Sequence, residues 1–225
     1  MTWAGVIGFN PAGYVGTMSD LAGVLADAAR GVFPPPDGTV RVLPPPSARD
    51  TGVIALTACS FVFADVSEEW VRERLPAGDL SAPLNPPFLR ALEERLGRRV
   101  NNVDMLTVAG PLAGPPPLAL DESTDRDQSR VRRALHHRDD VRVWQAQGGM
   151  VLLGRGVAGR WEMALEVDEA ARGTGLGRRL AVAARHLVPA GEPLWAQVAP
   201  GNAASVRALL AAGYRPVGAE ALLTA

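Results

Sequence analysis

The chain has 225 residues, 47% of them apolar, which excludes a disordered polymer because there is enough apolar surface to offset the entropy of ordering. Its 23 basic residues are balanced by 24 acidic ones, so it lacks the basic excess of a general nucleic-acid or membrane-surface binder. Apart from three histidines every basic residue is arginine, and without lysine there is no Schiff-base chemistry, no lysine general base and no phosphate-loop lysine.

The opening MTWAGVIGFNPAGY has neither a basic start nor a long apolar run, so it does not read as a signal peptide. No stretch offers the ~18 consecutive apolar residues of a membrane span, and a soluble, cytoplasmic protein is expected. Ser19 is placed as the cap of a first helix with Leu21, Val24, Leu25 and Ala28 on its apolar face and Gly31 as its stop. Val53–Val66 is rich in β-formers and reads as one buried strand. Cys59 lies inside it as a small buried thiol and, being the only cysteine, forms no internal disulfide. Ser67 then caps a short helix to Leu75. Pro86 and Pro87 open another, with Phe88, Leu89, Leu92 and Leu96 on one face and Gly97 after it. Asn101 and Asn102 suggest a turn before a strand over Val103–Ala109. The three proline blocks Pro34–Pro36, Pro44–Pro46 and Pro115–Pro117 read as rigid connectors, and the last marks a boundary between residues 1–117 and 118–225.

The second stretch is more legible. A short strand is expected at Leu118–Leu120, then a polar helix capped by Ser123 or Thr124 and running to about His137. Strands over Val141–Ala146, Met150–Val157 and Arg160–Val167 follow as an antiparallel meander, the first two joined by the hairpin signal Gly148-Gly149. Next come a helix over Leu176–Leu187, a strand over Leu194–Val198, a helix over Ala203–Ala212, a strand over Tyr214–Val217 and another near Leu222. Trp144, Trp161, Trp195 and Tyr214 are read as core aromatics, while Trp3 and Trp70 have no assigned place. His136 and His137 read as a helix terminus, and no histidine or carboxylate spacing suggests a metal site.

The feature that carries chemistry is Arg172-Gly173-Thr174-Gly175-Leu176-Gly177, which follows a strand and opens a helix. That position gathers unpaired backbone amides and the positive end of a helix dipole, the glycines let an anion approach, and Arg172 adds a charged fork. The combination describes a pyrophosphate cradle. The glycine spacing differs from the dinucleotide fingerprint, and the preceding strand closes an antiparallel meander rather than a parallel unit.

The stretch from Leu165 to Leu180 resembles the acetyl-CoA-binding motif of the GNAT superfamily of acetyltransferases: a strand ending L-x-V, a short loop, R-G-x-G-L-G, then a helix. Asn202-Ala203-Ala204-Ser205 and Ala212-Gly213-Tyr214 match the family's next motif, in the right order. The resemblance covers roughly residues 118–225. It implies a mixed α/β fold with a mostly antiparallel twisted sheet flanked by helices, to which residues 1–117 add a further α/β region. One N-terminal helix of the family is missing, so residues 1–117 are expected to supply the wall of the acceptor site, as a degenerate second copy of the fold in one reading.

The resemblance also implies an activity, acetyl transfer from acetyl-CoA to the amine of a small molecule, with no metal. The amides of Arg172, Gly173, Thr174, Gly175, Leu176 and Gly177 would hold the CoA pyrophosphate, with Arg178 adding charge. The backbone around Leu165 and Val167 would bind the pantetheine arm as though it were another strand. This strand would splay from Leu194–Val198 to leave a cleft for the thioester. Asn202, with Ser205 of the same motif, would face that cleft. A homodimer is compatible with the family.

For the general base the residue singled out is Glu162, set among apolar side chains where burial would raise its carboxyl toward neutrality. The alternative is that Glu162 and Glu166, which alternation puts on one face, pair with arginines such as Arg142 or Arg155. The family often carries a tyrosine as general acid where this chain has Leu209. That departure leaves two other readings open: a non-catalytic acyl-CoA-binding module, or other acyl-thioester chemistry on the same fold.

Overall fold

Asp20 caps the first helix, α1 (Leu21–Ala29), its carboxylate accepting from the Gly23 amide at 2.7 Å. Ser19, expected in that role, and Trp3 lie outside residues 20–225, the part that this computed structural model describes. The long apolar run after it is not one strand. It folds back on itself as β2 (Gly52–Leu56) and β3 (Cys59–Phe63), because Thr57 and Ala58 both adopt positive φ and make a two-residue turn without glycine. A short strand β1 (Val40–Leu43), not foreseen, pairs parallel to β3.

Ser67 caps α2 (Glu68–Arg72) as expected, accepting from the Trp70 amide at 3.1 Å. Helix α3 (Pro86–Leu96) starts on its prolines and stops at Gly97, whose φ of 64° is the left-handed conformation that ends a helix. Trp70 finds its place here, its ring 6.1 Å from that of Phe88. The expected turn at Asn101-Asn102 is absent. Both residues lie within β4 (Arg99–Ala109), at the irregularity where its pairing with a neighbouring strand slips between Val103 and Val100.

In the second stretch, β5 is Asp121–Ser123 rather than Leu118–Leu120, and α4 (Ser129–His137) begins after Gln128 with no side-chain cap among the described residues. The meander is present as β6 (Asp139–Ala146), β7 (Gly149–Arg155) and β8 (Trp161–Val167). Helix α5 (Leu176–Leu187), β9 (Leu194–Val198) and α6 (Ala203–Ala211) follow where expected. The last segment is one strand, β10 (Arg215–Thr224), and not two. Its register slips after Pro216, which has no amide to donate, and again after Ala221, yet pairing continues from Arg215↔Val108 to Thr224↔Arg99.

The ten strands of the described residues form one sheet in the order β1-β3-β2-β10-β4-β9-β8-β7-β6-β5, a mixed α/β architecture with mostly antiparallel pairing and helices on both faces. The two stretches on either side of residue 117 interleave in it, since β4 lies between β9 and β10. Trp161, Met163, Leu194 and Ala196 point into the core beneath α5 and α6, which also contains Trp144 and Tyr214. Helices α2 and α3 cover the same side of the sheet at its other end. The opposite side is covered by α1, over Trp195, Leu106 and Val108, and by α4, over Val143, Leu152 and Ala164. None of the described helices is long and apolar enough to cross a membrane.

Candidate active site

Strands β8 and β9 are parallel neighbours for only two residue pairs, Trp161↔Leu194 and Glu162↔Trp195. Beyond them the strands part. Met163–Val167 stays paired to β7 and Ala196–Val198 to β4, so the backbone edges that face each other across the gap have no strand partner among the described residues. The splay implied by the resemblance is therefore present. β8 also runs without a register shift, which keeps alternation intact: Trp161 and Met163 face α5, whereas Glu162, Ala164 and Glu166 face the side of α1 and α4.

The glycine loop closes the wide end of this gap. Gly173 and Gly175 have φ of 77° and 80°, a backbone that residues with a Cβ rarely adopt. Thr174 Oγ1 donates to the Ala171 carbonyl at 2.7 Å, tying the loop to the turn before it. Helix α5 starts from Gly175 with no side-chain cap among the described residues, so its first amides are free to meet an anion. Leu176 is buried and anchors the helix start, while Arg172 and Arg178 are exposed. A cavity of about 410 Å³ adjoins the loop, lined by Pro117, Thr174, Gly175, Arg178, Arg179 and Val182. The third proline block thus contributes a wall to it. The backbone of this loop, its two arginines and the adjoining space fit a pyrophosphate group.

The second motif is placed beside the gap with different duties. Asn202 caps α6, its Oδ1 accepting from the Ser205 amide at 3.1 Å; Asn202 is exposed and Ser205 half-buried. Leu165 and Val167 are half-buried and pack toward α5, leaving their backbone to the gap. Leu209, a hydrocarbon with no proton to give, is buried in the core beneath α5 and α6, and the buried Tyr214 phenol donates to the Ala181 carbonyl at 3.2 Å.

Glu162 is buried as expected, but its surroundings overturn the raised carboxyl. Arg160 Nε donates to Oε1 at 2.8 Å, Arg138 Nε to Oε2 at 2.9 Å, and the Val157 amide to Oε1 at 3.3 Å. Burial alone would push the carboxyl up, but the two guanidiniums outweigh it and hold the group at about 2. The partners are Arg160 and Arg138, not Arg142 or Arg155. Arg142 pairs with Glu122 and Arg155 stacks on Trp161. Glu166 pairs with Arg130 at 2.8 Å.

Arg160 continues the network. It lies over the Trp195 ring at 5.2 Å and donates through Nη2 to both oxygens of Glu220, at 2.7 and 3.0 Å. It thereby ties β8 to β10 across two intervening strands at the point where β8 and β9 separate. The Glu220 carboxyl is raised, by burial first and by the nearby Glu162 charge. Arg160 Nη1 and Gln197 Nε2 are buried donors in this same region without a hydrogen-bond partner among the described residues. Gly156 makes room for the network, since a Cβ there would overlap the Glu162 carboxyl group. Arg138, Arg160 and Glu220 were not singled out from sequence, although two signals existed: the alternation Arg160-Trp161-Glu162 puts a charge pair on one face, and Glu220 is a lone carboxylate in an apolar strand.

A depressed carboxyl stabilises the fold above its unfolded value near 4.5 and loses that contribution as the pH falls toward 2. The wild-type chain should therefore lose stability steeply between pH 4.5 and 2, while the raised Glu220 acts in the opposite sense. In Glu162→Gln the urea midpoint should fall less steeply over that range, and an unchanged slope would contradict the assignment.

No family model matches the chain, and no curated protein matches it. Among solved structures it is similar to a GCN5-related N-acetyltransferase from Kribbella flavida, at 17% identity and a TM-score of 0.41 over 62% of this chain and 64% of that one. It is similar to an acetyltransferase of the GNAT family from Colwellia psychrerythraea, at 10% identity and a TM-score of 0.41 over 78% and 81% of the two chains. A tandem GNAT protein from the clavulanic acid biosynthesis pathway matches at 14% identity and a TM-score of 0.36, over 67% of this chain and 61% of that one. The match spans less than two thirds of the Kribbella protein's length.

Proposed function

We propose that the protein is an acetyl-CoA-dependent N-acetyltransferase of the GNAT type, acting on the amine of a small molecule. The observation that carries this reading is the splay of β8 from β9 after two residue pairs, with the glycine loop and the uncapped start of α5 at its open end. The free strand edges suit an extended amide-bearing arm, and the loop suits a pyrophosphate. When bound, acetyl-CoA supplies an activated acyl group and a thiolate leaving group. The chain's own residues would orient it: Arg172 and Arg178 at the phosphates, the backbone of Leu165 and Val167 along the arm, and Asn202 with Ser205 at the start of α6. Residues 1–117 would wall the acceptor side through β4 and α1.

A second reading, a non-catalytic acyl-CoA-binding module, is favoured by Leu209, which is packed into the core where the resemblance expects a tyrosine. Titration calorimetry with CoA tests what the two readings share. Binding is expected, and Arg172→Ala should weaken it about tenfold, a loss of ~1.5 kcal/mol for a charge-assisted contact. An unchanged dissociation constant in Arg172→Ala would count against the cradle. Incubation with acetyl-CoA and a panel of primary amines separates the readings: thiol release supports transfer, and binding without release on any amine supports the module.

A further inference from the structure

Four carboxylates face the α1 and α4 side of the sheet around the gap: Glu162 and Glu166 on β8, Glu220 on β10 and Asp104 on β4. Three of them are held by arginine at 3 Å or less, Glu162 by Arg160 and Arg138, Glu166 by Arg130, and Glu220 by Arg160. Asp104 forms no ion pair among the described residues. Its Oδ1 accepts only from the Asn102 side chain, at 2.8 Å.

The register puts Asp104 in a telling place. Met105↔Val198 is the last pair between β4 and β9, so Asp104 stands one residue beyond it, where β9 leaves the sheet and the gap is open. It is directly opposite Glu220 on β10, the position at which side chains of neighbouring strands come within about 5 Å. From the other side of the gap α4 reaches over, with Arg133 Nη2 donating to Asn101 Oδ1 at 3.2 Å. Asp104 is half-buried, unlike Glu162 and Glu220, and so remains open to a molecule entering the gap.

We propose that Asp104, carried by a strand of the N-terminal stretch, takes the proton from the acceptor amine. This rests on the acyl-transfer reading. The amine nitrogen attacks the thioester carbonyl carbon, the new C–N bond replaces the C–S bond, and the electron pair leaves on the CoA sulfur. The proton released by the nitrogen passes to the Asp104 carboxylate, and solvent protonates the thiolate. Burial already pushes the Asp104 carboxyl up, against the hydrogen bond from Asn102 and the charge of Arg133, which makes it a better proton acceptor than the doubly paired Glu162. The charged groups around it are Glu220 opposite, Arg160 beyond Glu220 and Arg133 above.

The test compares wild type, Asp104→Asn and Asp104→Glu in thiol release from acetyl-CoA with a panel of primary amines, from pH 5 to 9. In Asp104→Asn turnover should fall at least a hundredfold with the KM for acetyl-CoA within twofold, and the acidic limb of the rate profile should disappear. Asp104→Glu should recover part of the rate. An Asp104→Asn rate within twofold of wild type, or a lost rate with the acidic limb intact, overturns the assignment of the proton acceptor alone. A wild-type protein that transfers to none of the amines overturns the acyl-transfer reading, and this proposal with it.

Discussion

Replacing Arg160 by methionine is expected to remove about 3–5 kcal/mol of unfolding free energy at neutral pH, the usual consequence of taking one partner from a buried ion pair. Its side chain is 4% exposed, and it is the shared partner of Glu162 and Glu220, which are 4% and 1% exposed. Without it Glu162 keeps Arg138 and the Val157 amide, and Glu220 has no guanidinium among the described residues. Methionine restores the volume but none of the charge. The Glu220 carboxyl, already raised by burial, would rise further, and a raised carboxyl contributes stability at low pH that is lost as the pH climbs. The deficit of Arg160→Met should therefore be larger at pH 8 than at pH 5. Adding Glu220→Gln should return part of the loss, because a neutral amide costs less to bury than an unpaired carboxylate. Urea unfolding of the wild type and the two variants at both pH values measures this. A loss below about 1 kcal/mol, or one that does not change with pH, would mean the network is far less enclosed than its geometry indicates.

Residues 118–225 expressed alone are expected not to fold into a soluble monomer, although the resemblance to the acetyl-CoA-binding motifs lies wholly within them. The reason is the interleaving of the sheet. β4 pairs with β9 from Met105 to Ala109 on one side and with β10 from Arg99 to Val108 on the other. Removing it would leave two unpaired edges in the middle of the sheet and expose the core positions against which Leu106 and Val108, 0% and 1% exposed, now pack. Size-exclusion chromatography and circular dichroism of the fragment should show aggregation and no cooperative unfolding. Co-expression with residues 1–117 should restore a soluble complex that binds CoA. A soluble, cooperatively unfolding fragment with unaltered CoA affinity would refute the expectation.

Where local chemistry decides the structure, the residues themselves declare it. The glycine loop opening α5 at Leu176, the stop of α3 at Gly97 and the cap of α2 at Ser67 all follow from φ preferences and hydrogen bonds within a few residues. Where distant strands decide it, local residues carry no signal. The hairpin at Thr57-Ala58 carries no glycine signal, and its reversal is sustained by pairing of β3 with β1 and of β2 with β10. Asn101 and Asn102 are turn formers by composition, but the pairs to β10 on either side of them, at Val100 and Val103, carry them through β4 as a bulge. The continuous β10 was hidden for the same reason, because its neighbour β4 comes from the other end of the chain.

The site divides along the same line. The loop from Arg172 to Gly177 declares an anion cradle in its own residues: glycines that accept positive φ, an uncapped helix start and arginine in a chain that has no lysine. The state of Glu162 could not be read in this way. Its immediate neighbours in sequence, Trp161 and Met163, are apolar and point to a raised carboxyl, whereas Arg160, two residues back on the same face, and Arg138, at the end of α4, together hold it at about 2. Charge interactions depend on separation through space and on what water is excluded from between the groups. Those quantities came into being only when β4, β8, β9 and β10 assembled into one sheet and α4 closed over its face.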